Sequence, residues 1–293
     1  MSFNFEQKYN EYLEKFNEYL QDVLSSLEHN APSLLTSAMK YAVEGGGKRV
    51  RPILCIATAD LLGLTFDDVK EFALAIELIH SYSLVHDDLP AMDNDDYRRG
   101  KLSTHKKYGE AYGILAGDAL LNYAFEVCLS KNDMTQNHIN AIRIIADYAG
   151  YTGMIAGQVL DLQNEKNPNC NKDILYSIYE NKTAKLLTVP LLASSLVAGG
   201  KHFDTLKEFG FNLGVLFQIT DDVMDEEGTL DSIGKTPHKD KEVDKLTSVK
   251  LFGLKGAKLK AEEHYKTCKD LLSQINGSEF LMAFTDKMFK RKS

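Results

Sequence analysis

His86-Asp87-Asp88-Leu89-Pro90-Ala91-Met92-Asp93-Asn94-Asp95-Asp96-Tyr97-Arg98-Arg99-Gly100 sets five carboxylates and two guanidiniums close together, directly after a segment whose apolar residues recur as Phe72, Ile76, Ile79 and Leu84. That recurrence has the period of an α-helix. Pro90 lacks an N–H and disfavours helical geometry at Leu89, so the helix is expected to end there with Asp87 and Asp88 in its last turn. Asp93 then returns from an irregular segment, which lets the acids converge on one point beyond a helix end. All-oxygen donors of this kind suit a hard cation.

A second run, Phe217-Gln218-Ile219-Thr220-Asp221-Asp222-Val223-Met224-Asp225, repeats the acidic pair after another apolar helical pattern. Asp221 and Asp225 are four residues apart and share one helix face. Two acidic clusters on facing helices repel each other unless something positive lies between them. A divalent metal is the simplest candidate, and a metal held by carboxylates commonly also holds a phosphate.

The 293-residue chain, with six prolines, no tryptophan, long 3.6-period segments and no sustained apolar–polar alternation, reads as an all-α, single-domain bundle over 1–293. A net charge of −8 without a Lys/Arg block argues against a nucleic-acid partner. Cys55, Cys128, Cys170 and Cys268 form no Cys-x-x-Cys pair and read as buried thiols. The charged N-terminal stretch, with Phe5, Tyr9, Phe16, Leu20 and Leu24 at helical spacing, is unlike a signal peptide. The most apolar stretch, Leu186 to Ala198, is too short to span a bilayer. The expectation is a soluble, cytoplasmic protein.

Pro32 and Ser33 open a helix that stops at Gly45-Gly46-Gly47, and Lys48-Arg49-Val50-Arg51-Pro52 follows. These cations approach a positive helix N-terminus, which suits an anion. No strand precedes them, so they are no Walker loop. His80 lies two turns before Asp87 on the same face, placed to donate to a phosphate oxygen. Asp93 to Thr104 fails as a calcium hand, because Arg98 and Thr104 stand where Gly and Glu are needed. Arg98 and Arg99 instead offer forked donors for phosphate.

Further along, Gly117 is expected to begin an apolar helix, and Gly157-Gln158 with Asp161-Leu162 reads as close helix packing with polar groups inside. Lys182-Thr183 falls in a helical pattern expected to end near Pro190, where the lysine can face the same cavity. Lys235, Lys239 and Lys245 interleave with Asp240 and Asp244, either as a solvated charged loop or as a basic flap over a phosphate.

Together these motifs resemble the trans-type polyprenyl diphosphate synthases over essentially the whole chain. Asp87-Asp88-x4-Asp93 is similar to the bacterial form of that family's first aspartate-rich motif, and Asp221-Asp222-x2-Asp225 to its second. Gly46-Gly47-Lys48-Arg49-x-Arg51-Pro52, His80, Arg98-Arg99, Lys182-Thr183, Gln218 and Lys235 also fall where its motifs put them. The resemblance implies a homodimeric helix bundle, of about ten or more helices per chain, around a deep central cavity. It implies Mg²⁺, with Mn²⁺ as a substitute, held by Asp87, Asp93, Asp221 and Asp225, with Asp88 and Asp222 as ligands or holders of metal-bound water. Asp87, Asp93, Lys182 and Asp221 become the implied catalytic set. Arg98, Lys182, Thr183, Gln218 and Lys235 would contact an allylic diphosphate. Lys48, Arg51, His80 and Arg99 would hold the diphosphate of isopentenyl diphosphate.

The implied reaction condenses these two substrates by prenyl transfer. Tyr82 and Ser83 precede Asp87 by about 6–8 Å of helix rise, where the resemblance puts the residues that limit chain length. A stiff aromatic ring there makes further elongation costly, so a fifteen-carbon farnesyl product is expected, with a geranylgeranyl or other chain length as the alternative. A terpene cyclase would not need the Lys48, Arg51 and His80 set, and a non-catalytic partner subunit is expected to have lost acidic residues that are intact here. Four positions depart from the family pattern: Tyr179 for histidine, Ala184 for glycine, His238 for glycine and Ser248 for tyrosine.

Overall fold

The computed structural model describes residues 3–27, 31–227 and 245–291. Lys235 and His238 lie outside them. The described chain is a helix bundle: α1 (Phe5–Ser26), α2 (Ser33–Glu44), α3 (Val50–Leu61), α4 (Phe66–Asp87), α5 (Thr104–Tyr108), α6 (Glu110–Leu129), α7 (Gln136–Ala149), α8 (Met154–Gln163), α9 (Lys172–Ile178), a π-helix (Tyr179–Ala184), α10 (Lys185–Val197), α11 (Phe203–Glu227), α12 (Ser248–Leu272) and α13 (Glu279–Lys290). One departure from the all-helical expectation is a hairpin of two-residue strands, β1 (Tyr97–Arg98) and β2 (Lys101–Leu102). Arg99 and Gly100 turn it with φ of 53° and 75°. Positive φ at both central residues matches the twist of a tight hairpin.

Two helices are buried on nearly every face and organise the rest. α4 begins on a Thr65–Asp68 capping box and buries Val69 and every residue from Glu71 to Ile79. α10 buries Leu186 to Ser195 without a break. α1, α2, α3, α6 and α7 pack around α4, and α3, α7 and α11 around α10. The amphipathic face expected of the first helix is present, with Tyr12, Phe16, Leu20 and Leu24 buried. A second apolar cluster ties Leu175, Ile178 and Tyr179 to Val215, Leu216 and Ile219 of α11 and Ala257 and Ala261 of α12. Cys55, Cys128 and Cys268 are buried free thiols and Cys170 is half-buried.

Two helix bounds differ from the sequence reading. α10 runs through Pro190 to Val197, because burial on all sides outweighs the one backbone hydrogen bond that a proline forfeits. α6 starts at Glu110 rather than Gly117. Gly117 lies inside the helix because α4 passes so close that an added Cβ would overlap the His86 imidazole.

Arg49 does not join the cations facing solvent. In a left-handed conformation (φ 45°) at the start of α3, it turns inward. Its guanidinium donates to Glu77 Oε1 at 2.7 Å and to the Val43 carbonyl at 2.8 Å. Both side chains are about fully buried, at 5% and 3% exposure, so removing one strands the other's charge. Glu77→Ala should lower the unfolding free energy in urea by about 3–5 kcal/mol. A loss below about 1 kcal/mol would show that the pair does not brace α3 against α4.

Candidate active site

α4 ends at Asp87 with Asp88 as its cap, and the chain then folds back on itself. The Asp93 N–H donates to the Asp87 carbonyl at 2.8 Å, Asn94 N–H to Leu89 at 3.1 Å, and Asp95 N–H to Asp88 at 3.1 Å. Asn94 allows the reversal by taking φ of 50°. The expected convergence of Asp93 on Asp87 is thus built from backbone. Asp88 turns inward instead and is gripped by Arg98, whose Nε donates to its two oxygens at 2.9 and 3.3 Å and whose Nη2 also reaches Oδ1. Burial pushes the Asp87 carboxyl up to about 6, with Lys182 opposing and Asp93 adding to the rise.

The second acidic run sits within α11. Asp221 and Asp225 are half-buried, whereas Asp222 is buried. Asp222 accepts from the Tyr179 hydroxyl, from Ser248 N–H at 2.7 Å and Oγ at 2.8 Å, and from Gln218 Nε2 at 3.2 Å. Two departures from the family pattern, Tyr179 and Ser248, therefore meet on one carboxylate. Gln218 in turn accepts from the Thr183 hydroxyl at 2.9 Å. Asp221 is paired with Arg291, which also donates to the Phe217 carbonyl at 2.9 Å and lies 4.0 Å over the Phe217 ring.

Lys182 lies on the π-helix, a wide turn frequent at functional sites, and acts electrostatically on Asp87. Its ammonium contacts Asp161 of α8 at 2.5 Å, and Lys245 reaches the same carboxylate at 3.3 Å. Burial alone would raise Asp161, and the two lysines more than reverse this, so it stays ionised below the usual carboxylate range. The lysine backbone lies so close to α8 that a Cβ at Gly157 would overlap it. Another departure, Ala184, is accommodated by Gly214 opposite, where a Cβ would fall 2.5 Å from the alanine methyl.

Lys48, Arg51, His80 and Arg99 form the other half of the site. Lys48 is exposed, and its carbonyl accepts from the Tyr9 hydroxyl. Arg99 arches over the glycine turn, donating to the Gly46 carbonyl. Gly47, at φ of 127°, lies beneath it, and a Cβ there would come within 2.7 Å of the guanidinium. Burial brings Arg51 down to about 10, with Glu77 opposing and Arg99 adding, and its buried Nε has no hydrogen-bond partner. His80 is held well below the usual imidazole range by burial and then by Arg51, Arg99, Arg98 and Arg49. Crowded cations around an unpartnered guanidinium nitrogen, at the first turn of α3, suit an anion.

Tyr82 is 5% exposed in the main core, with its ring edge-on to His86 and its hydroxyl without a partner. Ser83 donates to the His80 carbonyl at 2.9 Å. The sequence reading saw polarity at Asp161 but not its role as counter-charge to Lys182. It missed Arg291 altogether, since nothing local marks a lone arginine near a chain end as a partner of Asp221.

The all-oxygen donor set of Asp87, Asp93, Asp221 and Asp225 fits the chemistry of Mg²⁺. Among the described residues no three His, Cys, Asp or Glu side chains already converge as a cage. Holding a metal therefore requires side chains such as Asp221 to leave their protein partners.

The polyprenyl synthetase family model matches residues 32–279. The chain belongs to this family. A curated relative, farnesyl diphosphate synthase of Micrococcus luteus, is 42% identical over 250 residues, covering 83% of this chain and 85% of the relative. Geranylgeranyl pyrophosphate synthase of Capsicum annuum is 41% identical over 245 residues, 82% and 66% of the two chains. The geranyltransferase of Helicobacter pylori, solved with magnesium and isoprenyl diphosphate, superposes with a TM-score of 0.86 at 32% identity over 99% of both chains. The protein is a prenyltransferase of isoprenoid biosynthesis.

Because burial, and then the neighbouring guanidiniums, disfavour imidazolium, His80 should stay neutral and donate one N–H without adding charge. Its ring resonances should not titrate between about pH 5.5 and 8 in the ligand-free protein. A midpoint near the ordinary imidazole value would contradict the cation cluster.

Proposed function

We propose that this prenyltransferase uses Mg²⁺ to condense isopentenyl diphosphate with dimethylallyl and then geranyl diphosphate, releasing farnesyl diphosphate. The observation that carries the reading is a π-helix lysine, Lys182, acting on the Asp87 carboxylate, together with a separate cluster in which Arg49, Arg51, Arg98 and Arg99 crowd His80, with Glu77 as the near counter-charge. Two diphosphates need two such places.

Asp87, Asp93, Asp221 and Asp225 would hold the metal, which would supply positive charge against the allylic diphosphate as it leaves, while Lys182 and Thr183 orient the same diphosphate from the π-helix. Lys48, Arg51, Arg99 and the neutral His80 fix isopentenyl diphosphate, so that its double bond faces the allylic carbon and the entropic part of the barrier is met in advance. Arg98 contributes through Asp88, which it holds in place, and Lys235 belongs to the same allylic set by resemblance. Loss of a proton, taken up by the departing diphosphate, completes the condensation. Apolar burial around Tyr82 keeps water from the allylic cation.

The protein acts as a cytoplasmic homodimer. Among the described residues no helix is long and apolar enough to cross a membrane. Ile155, Val159 and Leu162 lie exposed along one face of α8, suited to a second copy.

Asp87→Asn and Asp221→Asn should each lower turnover at limiting magnesium by about a hundredfold or more while leaving the fold intact. Unchanged turnover in either variant would remove the metal assignment. Purified protein given magnesium, isopentenyl diphosphate and each allylic primer should stop at fifteen carbons, and Tyr82→Ala should shift the product to twenty or more. An unchanged fifteen-carbon product from an active variant would place the length limit elsewhere, and a twenty-carbon product from the unaltered protein would favour the geranylgeranyl alternative.

A further inference from the structure

Asp222 is buried where its neighbours Asp221 and Asp225 are half-buried, and protein donors reach both of its oxygens. Tyr179 Oη, Ser248 N–H and Ser248 Oγ donate to Oδ2, and Gln218 Nε2 donates to Oδ1. Oδ2 is thus fully occupied by the protein, and Oδ1 is tied to Gln218 within a buried pocket. The site is closed to solvent, with Asp222 6% exposed, Tyr179 3% and Ser248 0%. Ser248 N–H also lies 2.8 Å from the Tyr179 oxygen, so the three groups form a closed triangle.

The triangle joins three pieces of chain by hydrogen bonds, beside the apolar cluster that also packs them together. Tyr179 opens the π-helix that carries Lys182 and Thr183. Asp222 lies in the turn of α11 that carries Asp221 and Asp225. Ser248 opens α12, just after Lys245, which is itself tied to Asp161. Through Gln218 the bonding continues to Thr183, so the π-helix and α11 are linked twice.

We propose that Tyr179 and Ser248 are positioning residues that clamp Asp222, and that this clamp sets the distance and facing of Lys182 and Thr183 relative to Asp221 and Asp225. The inference rests on the proposed allylic-diphosphate role of those four residues. Asp222 is an anchor, not a ligand. Loosening the clamp disturbs the metal-and-allylic half of the site and spares the isopentenyl half, which hangs on α3, α4 and the hairpin. General damage to the fold would not make that distinction.

The test compares Tyr179→Phe, Ser248→Ala and the double variant with the unaltered protein. Each replacement keeps the packing shape and deletes one donor to a buried charge, an effect on the order of tenfold. Hydrogen exchange should accelerate about tenfold at the amides of 182–184, 220–225 and 248, and not in α3 or α4. The magnesium half-saturation constant and the allylic Michaelis constant should rise about tenfold, with the isopentenyl diphosphate constant within about twofold. The double variant should show a smaller effect than the product of the singles, since both donors serve one oxygen. Unchanged exchange at those amides, or equal rises in both Michaelis constants, overturns the clamp. An unaltered protein inactive with both diphosphates would instead overturn the proposed function, and the exchange pattern would still decide the clamp.

Discussion

Mutual repulsion among carboxylates is the constraint on which this molecule turns. Two negative charges about 4 Å apart cost on the order of 4 kcal/mol at a protein surface, and more as water is excluded. The fold meets that cost differently at different acids. Asp88 has Arg98, and Asp161 has Lys182 and Lys245, all within the chain. Asp87 is held up to about 6 by burial, with Lys182 opposing and Asp93 adding to the rise. Under the proposed function, a cation from solution adds to these internal partners at the mouth of the site.

The two acidic runs share a division of labour. In each, one member of the adjacent pair turns inward and is bound by protein donors, Asp88 by Arg98 and Asp222 by Tyr179, Ser248 and Gln218. The other member, with the third aspartate, stays at the site. An inward anchor lowers the freedom of the outward carboxylate beside it, because neighbouring residues on one helix turn together. Preorganisation of this kind lowers the ordering cost when metal and diphosphate arrive. Arg291 on Asp221 provides a cation from the end of α13.

Much of this was legible in the sequence because it depends on local rules. Pro90 ended α4 where it had to, the i,i+4 spacing set Asp221 and Asp225 on one face, and Gly45 to Gly47 stopped α2. What stayed hidden depends on distant contacts. Arg49 looks like its neighbours Lys48 and Arg51 until Glu77, on another helix, draws it inward. Pro190 reads as a helix end until burial on every side carries α10 through it. Tyr179 and Ser248, read singly, are departures from a pattern, and only their meeting at Asp222 shows how each accommodates the other.

The central claim is that the two acidic runs are separate, mutually repelling surfaces that become one binding site only when metal and diphosphate bridge them. Calorimetry with a non-reactive allylic thiolodiphosphate tests this most directly, with magnesium present and with the metal removed by chelation. The account predicts that binding needs magnesium and weakens by about a hundredfold or more without it. Equal affinity with and without the metal would mean that Lys182 and its neighbours hold the diphosphate alone, and would contradict it.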